Sequence, residues 1–141
     1  MIVLDTNVIS ALIQGVPDAA VVNWLNAQAS DAVWTTVVSV FETRVGLAIM
    51  APGRKRQSLE EAFDNALTQM GNQVLPFDAA AANETAAIFA RLRAAGRPID
   101  LRDAMIAGIV SAHHGTLATR NTKHFIDAGI PLVNPWATAS P

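Results

Sequence analysis

Residues 1–10 read MIVLDTNVIS. Ile2, Val3 and Leu4 form the short apolar run expected of a strand buried in a parallel sheet, and it stops abruptly on Asp5, Thr6 and Asn7. The next apolar residues, Val8, Ile9, Leu12 and Ile13, recur at helical spacing and end at Gly15. A strand that passes into a helix through one polar corner is the start of a β–α unit. The remaining sequence can then be read as repeats of that alternation or as departures from it.

It repeats. Pro17-Asp18 opens a second helical pattern through Val21, Val22, Trp24 and Leu25, and AVWTTV (32–37) reads as a second strand. Val37 to Met50 is helical and breaks at Pro52-Gly53. Arg56 to Met70 then carries Leu59, Phe63, Ala66, Leu67 and Met70 on one face, closed by Gly71. QVLPF (73–77) reads as strand, Asp78 caps an alanine-rich helix to Ala95, and Gly96 ends it. Asp100 or a neighbour begins a helix faced by Met105, Ile106, Ile109 and Val110, with His113-His114-Gly115 at its end. TLATRN (116–121) and PLVN (131–134) supply two more strands. Strands separated by helices imply right-handed crossovers, hence an α/β fold whose parallel sheet is covered on both faces. The 141 residues suit one domain. We place it at 1–136, with 137–141 as a loose tail.

Hydrophobic residues make up 51% of the chain and charged residues 16%, with a mean hydropathy of +0.28, which excludes a disordered chain. There is no cysteine, so disulfides, thiolate metal sites and cysteine nucleophiles are out. Charges interrupt every apolar stretch before the roughly 20 residues that span a bilayer, and no basic leader opens the chain, so the expected setting is cytoplasmic, without a membrane partner. A net charge of −2 rules out a polycationic nucleic-acid binder, although local basic rims exist. Arg54, Lys55 and Arg56 read as a solvated loop after Pro52-Gly53.

In an open parallel sheet the ligand crevice lies beyond the carboxyl ends of the strands. Asp5-Thr6-Asn7 falls there, as does Thr119-Arg120-Asn121. Asp5 reads equally well as a helix N-cap. Glu42 has Val38, Val45 and Ile49 as helical neighbours, which places a carboxylate in an apolar stripe; it must be protonated, paired with a distant arginine or bound to a metal. Asp103 shares its face with Ile106, Ala107 and Val110, although a first-turn acid also complements the helix dipole, as Asp100 does. If the three converge, two ionised carboxylates about 4 Å apart repel by roughly 4 kcal/mol at an effective dielectric near 20, so a cation is required. Oxygen-only ligands point to Mg²⁺ or Mn²⁺ and to phosphate-ester chemistry.

The ordered motifs IVLDTNVIS (2–10), SVFETRVGL (39–47) and DLRDAMIAGIVSAHHGTLATRNTKHF (100–125) resemble PIN-domain ribonucleases of the VapC and FitB toxin type. The resemblance covers nearly the whole chain. It implies a three-layer fold with strand order 3-2-1-4-5, Mg²⁺-dependent endonucleolytic cleavage of RNA by metal-activated water, homodimerisation and neutralisation by a VapB- or FitA-like antitoxin. By position, Asp5, Glu42 and Asp103 match the family's acidic metal ligands, with Thr6 and Asn7 as first-motif support and Thr119 beside them. Many members carry Asp where this chain has Asn121, a neutral residue that weakens a second metal site. Arg102, Arg120 and Lys123 are candidate RNA-phosphate contacts. If an antitoxin binds, a cation from it is expected in the acidic pocket.

Two other functions compete. An aspartyl phosphatase of the haloacid-dehalogenase type also ends its first strand in Asp, but expects a second Asp where this chain has Asn7. A catalytically weak PIN-fold interaction module would keep RNA binding without Asp5. Hydride transfer is disfavoured, since no glycine-rich dinucleotide loop follows the first strand. His113 and His114 suit a helix C-terminus; His124 lies near the presumed site. Trp24, Trp34 and Trp136 read as core or dimer packing before base stacking.

Overall fold

β1 (Ile2–Leu4) is the middle strand of a five-stranded parallel sheet in the order β3-β2-β1-β4-β5, flanked by β2 (Val33–Thr36) and β4 (Thr116–Ala118). β3 (Val74–Leu75) and β5 (Leu132–Val133) form the edges. This is the α/β topology expected. The structure is a computed structural model in which residues 1–137 are described; the expected tail, apart from Ala137, lies outside them.

Successive strand residues face opposite layers. Val3 and Leu117 enter one core with α5 (Ala79–Ala94) and α6 (Leu101–Ala112), through Ile88, Leu92, Ile106 and Ile109. Leu4 and Ala118 enter the other core, with α1 (Thr6–Ile13), α2 (Ala19–Asn26) and α4 (Arg54–Gln69), through Val8, Ile9, Val21 and Phe63. α3 (Val37–Ala48) straddles them, giving Val38 to the first core and Leu47 to the second. It therefore runs past the end of the sheet, carrying Glu42.

α5 and α6 pack closely because Gly108 has no side chain: a Cβ there would collide with Thr85 Oγ1 and stand 2.9 Å from the Ala81 carbonyl oxygen. Asp18, Asp78 and Asp100 each cap a helix by accepting backbone N–H groups.

Two local expectations are corrected. Arg54 to Arg56 do not form a loop; they make the first turn of α4, and Arg56 donates to Glu60 Oε1 at 2.7 Å. Val45 and Ile49 are exposed, so Glu42 borders the core at Val38 but is not set in a buried apolar stripe. A short helix, α7 (Thr122–Phe125), follows β4; four residues are too few to show a helical period.

Candidate active site

Leu4 is in register with Thr35 and Ala118, so β1, β2 and β4 end together, and Asp5 and Thr119 emerge side by side at the carboxyl edge. Asp5 occupies the N-cap position of α1, but its side chain does more than cap. Oδ1 accepts the Thr6 N–H at 2.8 Å, while Oδ2 accepts the Thr119 hydroxyl at 2.7 Å and the Asn7 amide at 3.2 Å. Three of the carboxylate's roughly four acceptor sites are thereby filled, leaving one on Oδ1.

Thr119 is fully buried and its hydroxyl is fully used. It donates its one proton to Asp5 and accepts from Asn7 Nδ2 at 3.2 Å and from the Asn121 N–H at 3.0 Å. Asn7 Oδ1 accepts the Arg120 N–H at 3.1 Å, which ties the first strand's exit to the fourth's. The Thr6 hydroxyl lies 3.1 Å from both Glu42 Oε1 and Ser39 Oγ; the charged oxygen is the stronger acceptor for its single proton.

Glu42 and Asp103 complete the acidic surface from α3 and the first turn of α6. Arg102 stands 3.6 Å from Glu42 and 3.7 Å from Asp100, while His124 Nδ1 stands 3.6 Å from Asp103 Oδ2. Burial pushes the Asp103 carboxyl up to about 6, with the negative charges of Asp5, Asp100 and Glu42 adding to it and His124 opposing. Burial also raises Asp5, against the hydrogen bonds from Thr119, Thr6 and Asn7. Asp103 and the acids whose charges raise it gain from a cation between them.

Among the described residues, no three Asp, Glu or His side chains already stand where one ion would touch them all. The donor chemistry nevertheless fits a hard divalent ion: the ligands are all oxygen, Asp5 keeps an unspent acceptor site, and Asp103 is held up by burial and by its acidic neighbours. Asp5, Glu42 and Asp103 would hold it, once Arg102 and His124 give way.

A cavity of about 400 Å³ opens beside Asp103, lined also by Arg97, Asp100, Lys123, His124 and Asp127. The larger cavity, about 620 Å³, lies between α1, α2 and α4; no titratable side chain lines it, so it is a poor place for acid–base or metal chemistry. Asn121 lies at the edge of the acidic surface, joined to Thr119 through its backbone, with its side chain exposed. Sequence reasoning missed Ser39, fully buried beneath Thr6; its spacing three residues before Glu42 on the same helical face was the available signal. It also missed the contact between Arg120 and Trp136. No sequence signal joins those two.

The family model described as PIN domain matches residues 2–130. The chain is 41% identical to the plasmid stability protein StbB of Pseudomonas syringae pv. tomato over 137 residues, 96% of this chain and 99% of that protein. It is 39% identical to the VapC ribonuclease Y4jK of Sinorhizobium fredii over 140 residues, 99% and 100% of the two chains. The solved structure of FitAcB from Neisseria gonorrhoeae superposes with a TM-score of 0.88 at 35% identity, covering 97% of this chain and 99% of that one. A strand order of 3-2-1-4-5 with acids gathered at its carboxyl edge, matched over nearly the full length, places this chain in the PIN-domain family, among its VapC- and FitB-like members.

Proposed function

We propose that residues 1–136 form a single Mg²⁺-dependent (or Mn²⁺-dependent) endoribonuclease, the cytoplasmic toxin component of a type II toxin–antitoxin pair. The observation that carries this reading is the gathering of Asp5, Glu42 and Asp103 from three distant segments at the carboxyl edge of the sheet, where burial first, and the charges of Asp5, Asp100 and Glu42 after it, push the Asp103 carboxyl up to about 6. A fold that holds such repulsion without an evident structural gain is organised around a cation.

The bound ion would supply a nucleophile at neutral pH and neutralise charge on the leaving oxygen. The chain's own part is placement. Thr119, Asn7 and the Thr6 N–H fix the Asp5 carboxylate so that one acceptor site faces outward, and the Thr6 hydroxyl orients Glu42. Asp103 supplies the third carboxylate from the α6 first turn. Asn121 closes the edge without adding charge. Arg102, Arg120 and Lys123 stand around this centre as cations for RNA phosphates.

Two apolar surfaces suit protein partners. Val37, Phe41, Val45 and Ile49 form an exposed stripe along α3, which supports a homodimer. The α1/α2/α4 groove, lined by Leu12, Val22, Leu25 and Met70 among others, supports a VapB- or FitA-like antitoxin helix. Such an antitoxin is expected to send a cation toward Glu42, where Arg102 already stands.

The test is cleavage of a mixed structured-RNA pool in Mg²⁺, Mn²⁺ or EDTA, beside Asp5→Asn and Glu42→Gln. Metal-dependent cutting lost in both variants is expected. Wild type and variants behaving alike in every condition would sink the catalytic reading and favour an interaction module.

A further inference from the structure

Arg120 leaves β4 directly beside the network that holds Asp5, its N–H bonded to Asn7 Oδ1. Its exposed side chain lies over Trp136, the guanidinium carbon 4.9 Å from the ring centroid. Trp136 is itself fixed twice: the indole N–H donates to Asp18 Oδ2 at 3.1 Å and the backbone N–H to Asn134 Oδ1 at 3.0 Å. An arginine free on a surface spends about 2 kcal/mol of rotamer entropy when it is ordered, and a guanidinium on an indole recovers roughly 0.5–1 kcal/mol beforehand.

Lys123 shares Arg120's lack of a carboxylate partner but has no ring beneath it among the described residues, and the other neighbouring side chains stand on carboxylates. Arg102 stands on Glu42 and Asp100, Arg97 on Asp127, and His124 beside Asp103. Among the described residues Arg120 has no carboxylate partner; its contacts are the indole and its own backbone bond. Its guanidinium donors make no side-chain hydrogen bond among the described residues, and the ring beneath limits where they can go. An acidic centre repels RNA, so a substrate phosphate beside it needs a cation that no carboxylate has already neutralised. A planar fork held in place matches two phosphate oxygens better than a mobile point charge.

We propose that Arg120, held on the face of Trp136, takes an RNA backbone phosphate next to the acidic centre, with Trp136 as its positioning residue. This rests on the ribonuclease reading and adds to it a specific substrate contact. The indole face that Arg120 covers is then a support for the guanidinium, not a platform for a base.

The test is binding of a fluorescein-labelled oligouridylate by the full chain carrying Asp5→Asn, followed by anisotropy across a KCl series in Mg²⁺, with cleavage by the wild type measured in parallel. Arg120→Ala is expected to weaken binding about ten-fold and to flatten the salt slope by about 0.7, one phosphate on single-stranded RNA. Arg120→Lys should restore the slope without the full affinity. Trp136→Phe, which keeps an aromatic face, should bind nearly as the parent, and Trp136→Leu several-fold more weakly. The variant with both Arg120→Ala and Trp136→Leu should bind no worse than Arg120→Ala alone, because the tryptophan acts through the arginine. Losses that multiply in the double variant overturn the positioning role. Arg120→Ala with unchanged affinity and slope overturns the proposal outright, and it stands at an exposed position where folding does not depend on the indole. A wild type that binds through Arg120 but cuts no RNA with either metal sinks the ribonuclease reading and leaves the phosphate contact standing.

Discussion

Asp5 and the pair Glu42/Asp103 are held in opposite ways. Asp5 is buried and locked by three hydrogen bonds, two of them from side chains that are themselves tied to β4. Glu42 and Asp103 sit on helices at the rim, with the exposed Arg102 and His124 side chains 3.6 Å away and a single hydroxyl bond between them, from Thr6 to Glu42. One acid is placed by the sheet before any ligand arrives. The other two are held by fewer bonds. A site built in this way needs one fixed reference point and lets the incoming ion organise the rest, which costs less of the fold's stability than holding three repelling carboxylates rigidly.

The largest expected effect comes from changing side-chain length at each kind of position while keeping the charge. Asp5→Glu should lose more than about 100-fold in RNA cleavage, because an added methylene cannot fit a buried carboxylate that is already bonded on three sides. Glu42→Asp should stay within about ten-fold of wild type, since the rim can adjust. Equal losses at the two positions, measured as kcat/KM on one RNA, would erase the contrast.

Thr119→Val tests the lock itself. The substitution keeps the volume and removes the hydroxyl, so the Asn121 N–H and one Asn7 donor lose their acceptor and Asp5 loses its shortest bond. A stability loss of about 1–3 kcal/mol by urea unfolding and a cleavage loss of about ten-fold are expected. A stable variant with full activity would mean that the strand ends place Asp5 without help.

The fold was legible because its signals are local: apolar runs of strand length, helical spacing, and Asp18, Asp78 and Asp100 at helix starts. The acids were legible because carboxylates stood where apolar or capping residues would do. Glu42 was singled out for a reason only half correct, since Val38 is buried while Val45 and Ile49 face solvent. Periodicity marks one face of a helix but does not say what covers it. Ser39 and the Arg120–Trp136 stack stayed hidden because they join segments far apart in the chain. No single-sequence pattern carries that pairing.

Asp103 gives the rim a pH signature. Its folded value near 6 lies above the ordinary 3.8, so the folded state prefers the protonated acid. The stabilisation from protonation is complete below about 3.8 and is lost as pH rises through 6. In EDTA the protein should therefore gain stability as pH falls from 7.5 toward 5, by at most ~1.5 kcal/mol, the rest of the effect coming below pH 5. Asp103→Asn should melt higher than wild type at pH 7.5, and the difference should vanish near pH 4. Thermal melts at several pH values check this, and a difference independent of pH would remove Asp103 from the acidic cluster.

Arg102 should give the smallest effect, because it belongs wholly to the adjustable side of the contrast. It is more than half exposed, and its nitrogens reach Glu42 and Asp100 only at 3.6 and 3.7 Å. Exposed pairs of this kind contribute about 0–1 kcal/mol, so Arg102→Ala should leave the urea midpoint nearly unchanged. Its charge still acts on whatever cation the acids receive: a unit charge about 6 Å from a divalent ion in a water-like dielectric is worth roughly 1.4 kcal/mol, which screening at ~0.15 M salt halves to roughly 0.7. Removing it should lower the Mg²⁺ concentration that raises the melting temperature by about three-fold. A melting response to Mg²⁺ that stays put while the urea midpoint drops would make Arg102 a structural brace for the rim. Glu42 would then be held as firmly as Asp5, and the two kinds of acid would be one.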